Sequence, residues 1–324
     1  MQHVRFGATG LKVHPLCFGT MTLGGEADEK TSFELLDHAV ERGLNFIDSA
    51  NVYNRGTSET LIGKWMAARG NRERIILSSK VRYRVGDDPD SEGLSPRTIE
   101  RELHRSLERL KTDYLDIYFL HQPDYDTPLA VTWQCLDRLA RQGKFRYVGL
   151  SNFAAWQITD AYHIARRNGW IQPTVAQCMY NLIARYPEHE LFPACRALDI
   201  GVCNYNPLAG GLLTAKYGAK GEAQEGRLSN NEQYRKRYFD DRQRQAALDL
   251  AAIAAENGRG PVELAVRFCL DRPEIDTVIL GATRVAQLEQ SLAVIESKPL
   301  TEEEIEQCDA VWRWLSGPIP LYCR

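Results

Sequence analysis

The sequence predicts an α/β fold in which eight strand–helix units close into a barrel, (β/α)8. Three observations carry that expectation. Short β-rich runs alternate with longer segments whose apolar residues recur at helical spacing, joined by short connections. The alternation repeats eight times, more than an open doubly wound sheet usually holds. The first strand is also not followed by the GxGxxG turn of an open dinucleotide-binding sheet. A chain of 324 residues suits one such barrel, and no Ser- or Gly-rich linker divides it, so one domain spanning 1–324 is expected.

Ahead of the barrel, Val4 to Phe6 and Lys12 to His14, with Gly7 and Gly10 between them, read as a hairpin. The first barrel strand is expected from Leu16 to Met21, with a helix from Thr31 to Arg42 whose Phe33, Leu36, Ala39 and Val40 share a face. Asn45 to Ser49 and Arg74 to Ser79 follow as strands, the first with a helix from Ser58 to Ala68. Ser95 and Pro96 then form the N-cap and first turn of a helix reaching Leu110. Asp116 to Leu120, Tyr147 to Leu150, Thr174 to Met179 and Gly201 to Asn204 are the next strands. Helices from Pro128 to Gln142, Ala155 to Asn168 and His189 to Leu198 separate them. Tyr217 to Asp241, polar and dotted with glycine, reads as a long loop, functional or mobile. Thr277 to Leu280 is the eighth strand, followed by a helix from Val285 to Ile295 and a tail helix capped by Thr301, with Trp312 and Trp314 beyond. The whole is the pattern of a TIM barrel with an N-terminal hairpin and a C-terminal helix and tail.

Acidic and basic residues nearly balance, for a net charge of −3, which offers no basic face for nucleic acid and no polybasic membrane anchor. No apolar run approaches the roughly 20 residues of a transmembrane helix, and Met1 to Gly10 lacks the apolar core of a signal peptide. Eight cysteines are scattered without a CxxC pair, mostly within apolar runs, so buried thiols in a reducing compartment are expected, and no metal site. The expected location is the cytoplasm.

Functional groups in a barrel gather where strands end at their C-terminal side. Asp48 ends one strand, Tyr53 follows in its loop, Lys80 ends the next strand and His121 the one after. Taken singly, a strand-end Asp more often caps a helix, and a strand-end Lys or His is more often a solvated or satisfied polar residue. Four titratable groups from three adjacent strands on one rim are another matter. A charge ending a buried apolar strand needs a partner, and Asp48 and Lys80 can compensate each other.

This set and the text around it resemble the aldo-keto reductase family: Asn45-Phe46-Ile47-Asp48 with Tyr53, Lys80 after an apolar strand, and Tyr118-Phe119-Leu120-His121. The likeness continues through Gly149-Leu150-Ser151-Asn152-Phe153, Gln177 with Tyr180-Asn181, and Tyr205 to Leu213, covering essentially the whole chain. It implies an NADPH-dependent reductase of a small carbonyl substrate, acting as a monomer or homodimer. Tyr53 would protonate the carbonyl oxygen. The phenol's ordinary pKa near 10 would be lowered by Lys80, itself paired with Asp48, while His121 orients the oxygen.

The resemblance also implies a cofactor site. Ser151, Asn152 and Gln177 would hold the nicotinamide carboxamide, and Tyr205 would stack on its ring. Gly19, Thr20, Met21 and Asp48 would lie alongside, and Asn206, Pro207, Leu208, Gly210, Leu212 and Lys216 would line the pyrophosphate. Gly281, Thr283 and Arg284 open a helix, a natural phosphate site, where Arg284 favours a 2′-phosphate. Gln287 and Gln290 would face the adenosine, although many relatives have Glu-Asn where this chain has Gln290-Ser291.

Within the family the text is similar to the aflatoxin-aldehyde and succinic-semialdehyde reductase branch: Asn168 to Val175, Glu190 to Cys195, Tyr234 to Tyr238, and an ending of Tyr322-Cys323-Arg324. That likeness implies that Arg324, with Arg235 or Arg237, clamps a substrate carboxylate. Gly7 to Val13 and Arg82 to Gly93, the latter beside Lys80, look more like bacterial and potassium-channel β-subunit relatives. Two alternatives therefore stand beside the reductase: a regulatory NADP(H)-binding subunit of the channel-β type, and an NAD-dependent sugar or polyol dehydrogenase.

Overall fold

The computed structural model describes residues 3–217, 232–238 and 240–318. A two-stranded antiparallel ribbon comes first, β1 (Val4–Arg5) against β2 (Lys12–Val13). Eight parallel strands then close into a barrel: β3 (Leu16–Gly19), β4 (Phe46–Asp48), β5 (Ile76–Val81), β6 (Leu115–Leu120), β7 (Phe145–Ser151), β8 (Pro173–Met179), β9 (Gly201–Tyr205) and β10 (Thr277–Leu280). Around them run α1 (Glu29–Glu41), α2 (Thr57–Arg69), α3 (Pro96–Leu110), α4 (Leu129–Arg141), α5 (Ala155–Asn168) and α6 (Leu191–Ala197). They continue with α7 (Glu232–Tyr238), α8 (Asp241–Glu256), α9 (Pro261–Leu270), α10 (Val285–Leu292) and α11 (Glu302–Ser316). The fold is a (β/α)8 TIM barrel with the expected hairpin and C-terminal helix.

Local chemistry explains the element boundaries. Ser95 Oγ accepts the Thr98 N–H with Pro96 at the first helical position, and Thr301 and Glu304 cap each other's backbone at the start of α11. Strand alternation sorts the barrel into two cores. Phe46, Ile117, Phe119, Val175, Cys203 and Ile279 fill the interior, and the opposite faces pack against the helices. The hairpin seals the base by adding the fully buried Phe6 and Val13 to the interior cluster. Burying a side chain such as Phe6 contributes about 1.5–3 kcal/mol. The approach is close enough that Gly7 must be glycine: its φ is +50°, and a Cβ there would lie 2.1 Å from the Gly201 nitrogen.

Three expectations require correction. β3 ends at Gly19 rather than Met21, with the Thr20 N–H to Asp48 carbonyl bond at 3.0 Å as its last rung to β4. β5 starts two residues later than expected, after a 3-10 turn over Arg72–Arg74, and runs on to Val81. Lys80 therefore sits inside the strand, paired with Phe119, rather than at its end. The polar segment expected as a loop contains α7, whose Glu232 and Lys236 form an i,i+4 pair at 2.7 Å and whose Tyr238 is buried. Helical pairing there defeated a reading based on polarity.

Candidate active site

The register of β4, β5 and β6 brings Asp48, Lys80 and His121 to one rim. Asp48 pairs with Gly19 on one side and Ser78 on the other, so Ser78 and Lys80 face the interior while Ser79 and Val81 face the helices. Lys80 is fully buried, and its Nζ donates to Asp48 Oδ2 at 2.6 Å and to the Ser49 carbonyl at 2.7 Å. Asp48 Oδ1 accepts from Ser78 Oγ at 2.8 Å and from Gln177 Nε2 at 2.9 Å. An unpaired charge at that depth would cost several kcal/mol, and this bonding offsets the penalty for both partners. An ammonium has three N–H groups. Two are engaged here, and the Tyr53 ring centroid lies 5.2 Å from Nζ.

Tyr53 opens a tight turn through Asn54 and Arg55, both with positive φ. The Asn54 amide donates to the carbonyls of Met21 and Leu23 at 3.0 and 2.7 Å, which pins this turn to the loop after β3. The His121 ring stands edge-on to Tyr53 with centroids 6.0 Å apart. Burial, and then the Lys80 charge, hold the His121 imidazole well below its ordinary pKa, so it is neutral at physiological pH. Its Nδ1 is buried without a hydrogen-bond partner. An orphaned acceptor costs less than an orphaned N–H donor, so the proton belongs on Nε2.

The expected cofactor residues lie in or just after β3, β7, β8, β9 and β10. Ser151 is buried and Asn152 is exposed with φ +61°. Asn152 donates to the His121 carbonyl at 2.8 Å and accepts the Tyr205 hydroxyl at 2.5 Å. Thr20 is fully buried, donating to the Asp48 carbonyl and accepting from Ser58, so its hydroxyl serves the scaffold. Met21 is exposed beside it. Beyond Tyr205, Asn206, Ala209, Gly210 and Gly211 all take positive φ, folding the chain after Pro207 and Leu208 into a compact turn with Leu212 buried beneath. A Cβ on Gly211 would lie 3.3 Å from Lys216 Nζ. At β10, Gly281 approaches the Gly19 carbonyl, and Gln287 accepts both the N–H and hydroxyl of Thr283. Arg284 and Gln290 are exposed, and neither Lys216 nor Arg284 forms an ion pair among the described residues. Arg235 and Arg237 are exposed on α7, and Arg324 lies outside the described residues.

Sequence reasoning missed Tyr83, whose ring packs edge-on against His121 with centroids 4.7 Å apart and whose hydroxyl donates to Gln122 at 2.6 Å. It also missed Ser78 as a donor to Asp48. For Ser78 the alternation from Lys80 was a usable signal; for Tyr83 there was only proximity to Lys80.

Among the described residues no group of three or more His, Cys, Asp and Glu side chains is placed to hold a metal. No helix there is long and apolar enough to cross a membrane, and the seven described cysteines are free and buried.

A closed barrel whose C-terminal rim joins a buried Asp–Lys pair to a tyrosine and a neutral histidine defines an enzyme-like α/β barrel. The chain belongs to the aldo/keto reductase family, whose model matches residues 15–313, and it is thereby an oxidoreductase of a family that uses nicotinamide cofactors. It is 34% identical over 99% of its length to an uncharacterized oxidoreductase of Bacillus subtilis, covering 98% of that protein. To aflatoxin B1 aldehyde reductase member 2 of Rattus norvegicus it is 35% identical over 94% of this chain and 86% of that one. A protein of Oryza sativa subsp. japonica, named as a probable voltage-gated potassium channel subunit beta, is 33% identical over 96% of each chain.

Proposed function

We propose that the protein is an NADPH-dependent reductase of aldehydes or ketones in which Tyr53 acts as general acid. The observation that carries this reading is the buried Lys80–Asp48 pair with the Tyr53 ring 5.2 Å from the ammonium. A nearby positive charge favours the phenolate over the phenol, which brings a tyrosine closer to the acidity that proton transfer at neutral pH requires. Asp48 pairs with the Lys80 ammonium at 2.6 Å and fixes its position. His121, neutral with its proton on Nε2, donates to the carbonyl oxygen and orients it beside the Tyr53 hydroxyl.

The nicotinamide, when bound, supplies the hydride that reaches the carbonyl carbon. The residues fit such a group. The exposed Asn152 amide and the Tyr205 ring flank the rim, the backbone after Asn206 turns through successive left-handed residues beside Lys216, and Arg284 stands at the start of α10. Lys216 and Arg284 have no carboxylate partner among the described residues, which suits them to phosphates. Arg284 would take a 2′-phosphate, giving NADPH over NADH. Arg324, with Arg235 or Arg237, would favour an acidic substrate.

The test is oxidation of NADPH and NADH with succinic semialdehyde, 4-nitrobenzaldehyde and a simple ketone. Tyr53→Phe should lower kcat by about 10²- to 10⁴-fold with intact cofactor binding. Unchanged turnover in that variant would remove Tyr53 from the chemistry. The similarity to proteins named as channel β subunits supports a second reading, a regulatory NADP(H)-binding subunit. Tight NADPH binding with no turnover on any carbonyl would favour it.

A further inference from the structure

Arg82 follows β5 directly. The Val81 carbonyl before it accepts the His121 N–H at 2.9 Å, and Tyr83 after it packs against the His121 ring. Its backbone has φ +153°, a region that side-chain-bearing residues rarely adopt. Its side chain is partly buried, and its Nε has no hydrogen-bond partner although it is shut off from solvent.

Among the described residues, other partly buried guanidiniums are held by carboxylates. Arg72 holds Asp116 at 3.0 Å, Arg109 holds Glu59 at 2.7 Å, Arg185 holds Glu188 at 2.8 Å, and Arg267 holds Asp271 at 2.6 Å. Arg82 has no ion pair and no side-chain hydrogen bond among the described residues. The carboxylate on the neighbouring loop, Asp124, feels the Arg82 charge, but its oxygens are bonded by the Leu94 and Asp126 N–H groups and the Thr127 hydroxyl rather than by the guanidinium. Shutting an arginine N–H off from solvent without a partner is costly, so a guanidinium held this way next to the His121 wall is suited to an oxyanion that the protein does not supply.

We propose that Arg82 receives the carboxylate of an acidic carbonyl substrate, making it a specificity-determining residue at the mouth of the site. This rests on the reading of that rim as a reductase site. The charge pattern agrees: burial raises the Tyr83 phenol, and both Arg82 and Arg237 pull it back, so two cations flank the aromatic wall beside His121. The planar fork matches a carboxylate, and the buried Nε limits approach to one direction.

Two matched pairs test this: succinic semialdehyde against butanal, and 4-carboxybenzaldehyde against benzaldehyde. In Arg82→Gln, KM for the acidic member of each pair should rise about 10- to 100-fold, the worth of a charge-assisted hydrogen bond. KM for the neutral member and kcat for both should stay within about twofold. Arg82→Lys, which keeps the charge and loses the fork, should fall between. Equal losses on both members of a pair, or no loss, would overturn the proposal. Calorimetric titration with benzoate and succinate reads the same contact without turnover. Binding to the native protein that weakens in Arg82→Gln supports it, and binding that is absent or equal in the two proteins counts against it. If the native protein turned over no aldehyde yet bound benzoate through Arg82, the reductase reading would fail while the anion contact stood.

Discussion

Asp48 at the C-terminal rim and Asp276 at the opposite end of the barrel are both carboxylates set against the strands, and they are treated differently. Asp48 accepts three side-chain donors, one of them an ammonium at 2.6 Å. Asp276 accepts the Val202 N–H at 2.8 Å, while nearby Arg5 is engaged with Asp199 at 2.5 Å. Burial therefore dominates at Asp276 and pushes its pKa up to about 6, with Val202 and Arg5 pulling the other way and Asp199 adding to the rise. Open clefts also lie at the base, one of 660 Å³ around Tyr114, whose ring is clasped by Arg72 and Arg146 at 4.0 and 4.6 Å. At the base, Asp116 takes the Arg72 guanidinium at 3.0 Å and the Leu77 N–H at 2.9 Å, whereas Asp276 has no such cation on it among the described residues. Asp48, bonded on both oxygens, is held as a charge at the rim, whereas burying Asp276 with fewer partners carries a stability cost.

Breaking the rim pair should give the largest effect. Lys80→Met leaves Asp48 buried and unpaired, so stability should fall by about 3–5 kcal/mol and kcat by about 10²-fold or more. Adding Asp48→Asn should restore part of the stability and none of the activity, read by denaturant titration and steady-state kinetics. Additive losses in stability would mean that the pair is not coupled.

At the base the expected effect is on stability alone, and it depends on pH. The folded Asp276 binds its proton up to about pH 6, whereas the unfolded carboxyl releases it near 3.8. Between those values the folded state holds more protons, so unfolding free energy declines as pH rises through the window. Asp276→Asn keeps an oxygen for the Val202 N–H and removes the titration. Its stability should exceed that of the native protein by about 1–2 kcal/mol at pH 7 and match it near pH 4, with kcat unchanged. Melting curves showing the same gap at both pH values would refute this. The smallest change belongs to Arg5→Ala: the Arg5–Asp199 pair is well exposed, so less than about 1 kcal/mol should be lost.

Much of the architecture was legible because its causes are local. The Ser95-Pro96 and Thr301–Glu304 caps and the alternation of apolar runs with helical spacing are written in short stretches, and each became the expected element. The α7 helix was not legible, since its polar face gives no periodic signal and its anchor, Tyr238, contacts Met179 and Asn206 far away in sequence.

The sequence by itself determined the eightfold barrel, the family resemblance, and the gathering of Asp48, Tyr53, Lys80 and His121 at one rim. Strand period and strand ends fix which rim a residue occupies. Only the tertiary structure decided that Lys80 lies within its strand, that Gln177 and Ser78 complete the shell of Asp48, that Tyr83 walls His121, and that Arg82 has no ion pair among the described residues. Each of those depends on inter-strand register and on the desolvation of groups distant in the chain, and such energies exist only once the barrel has closed.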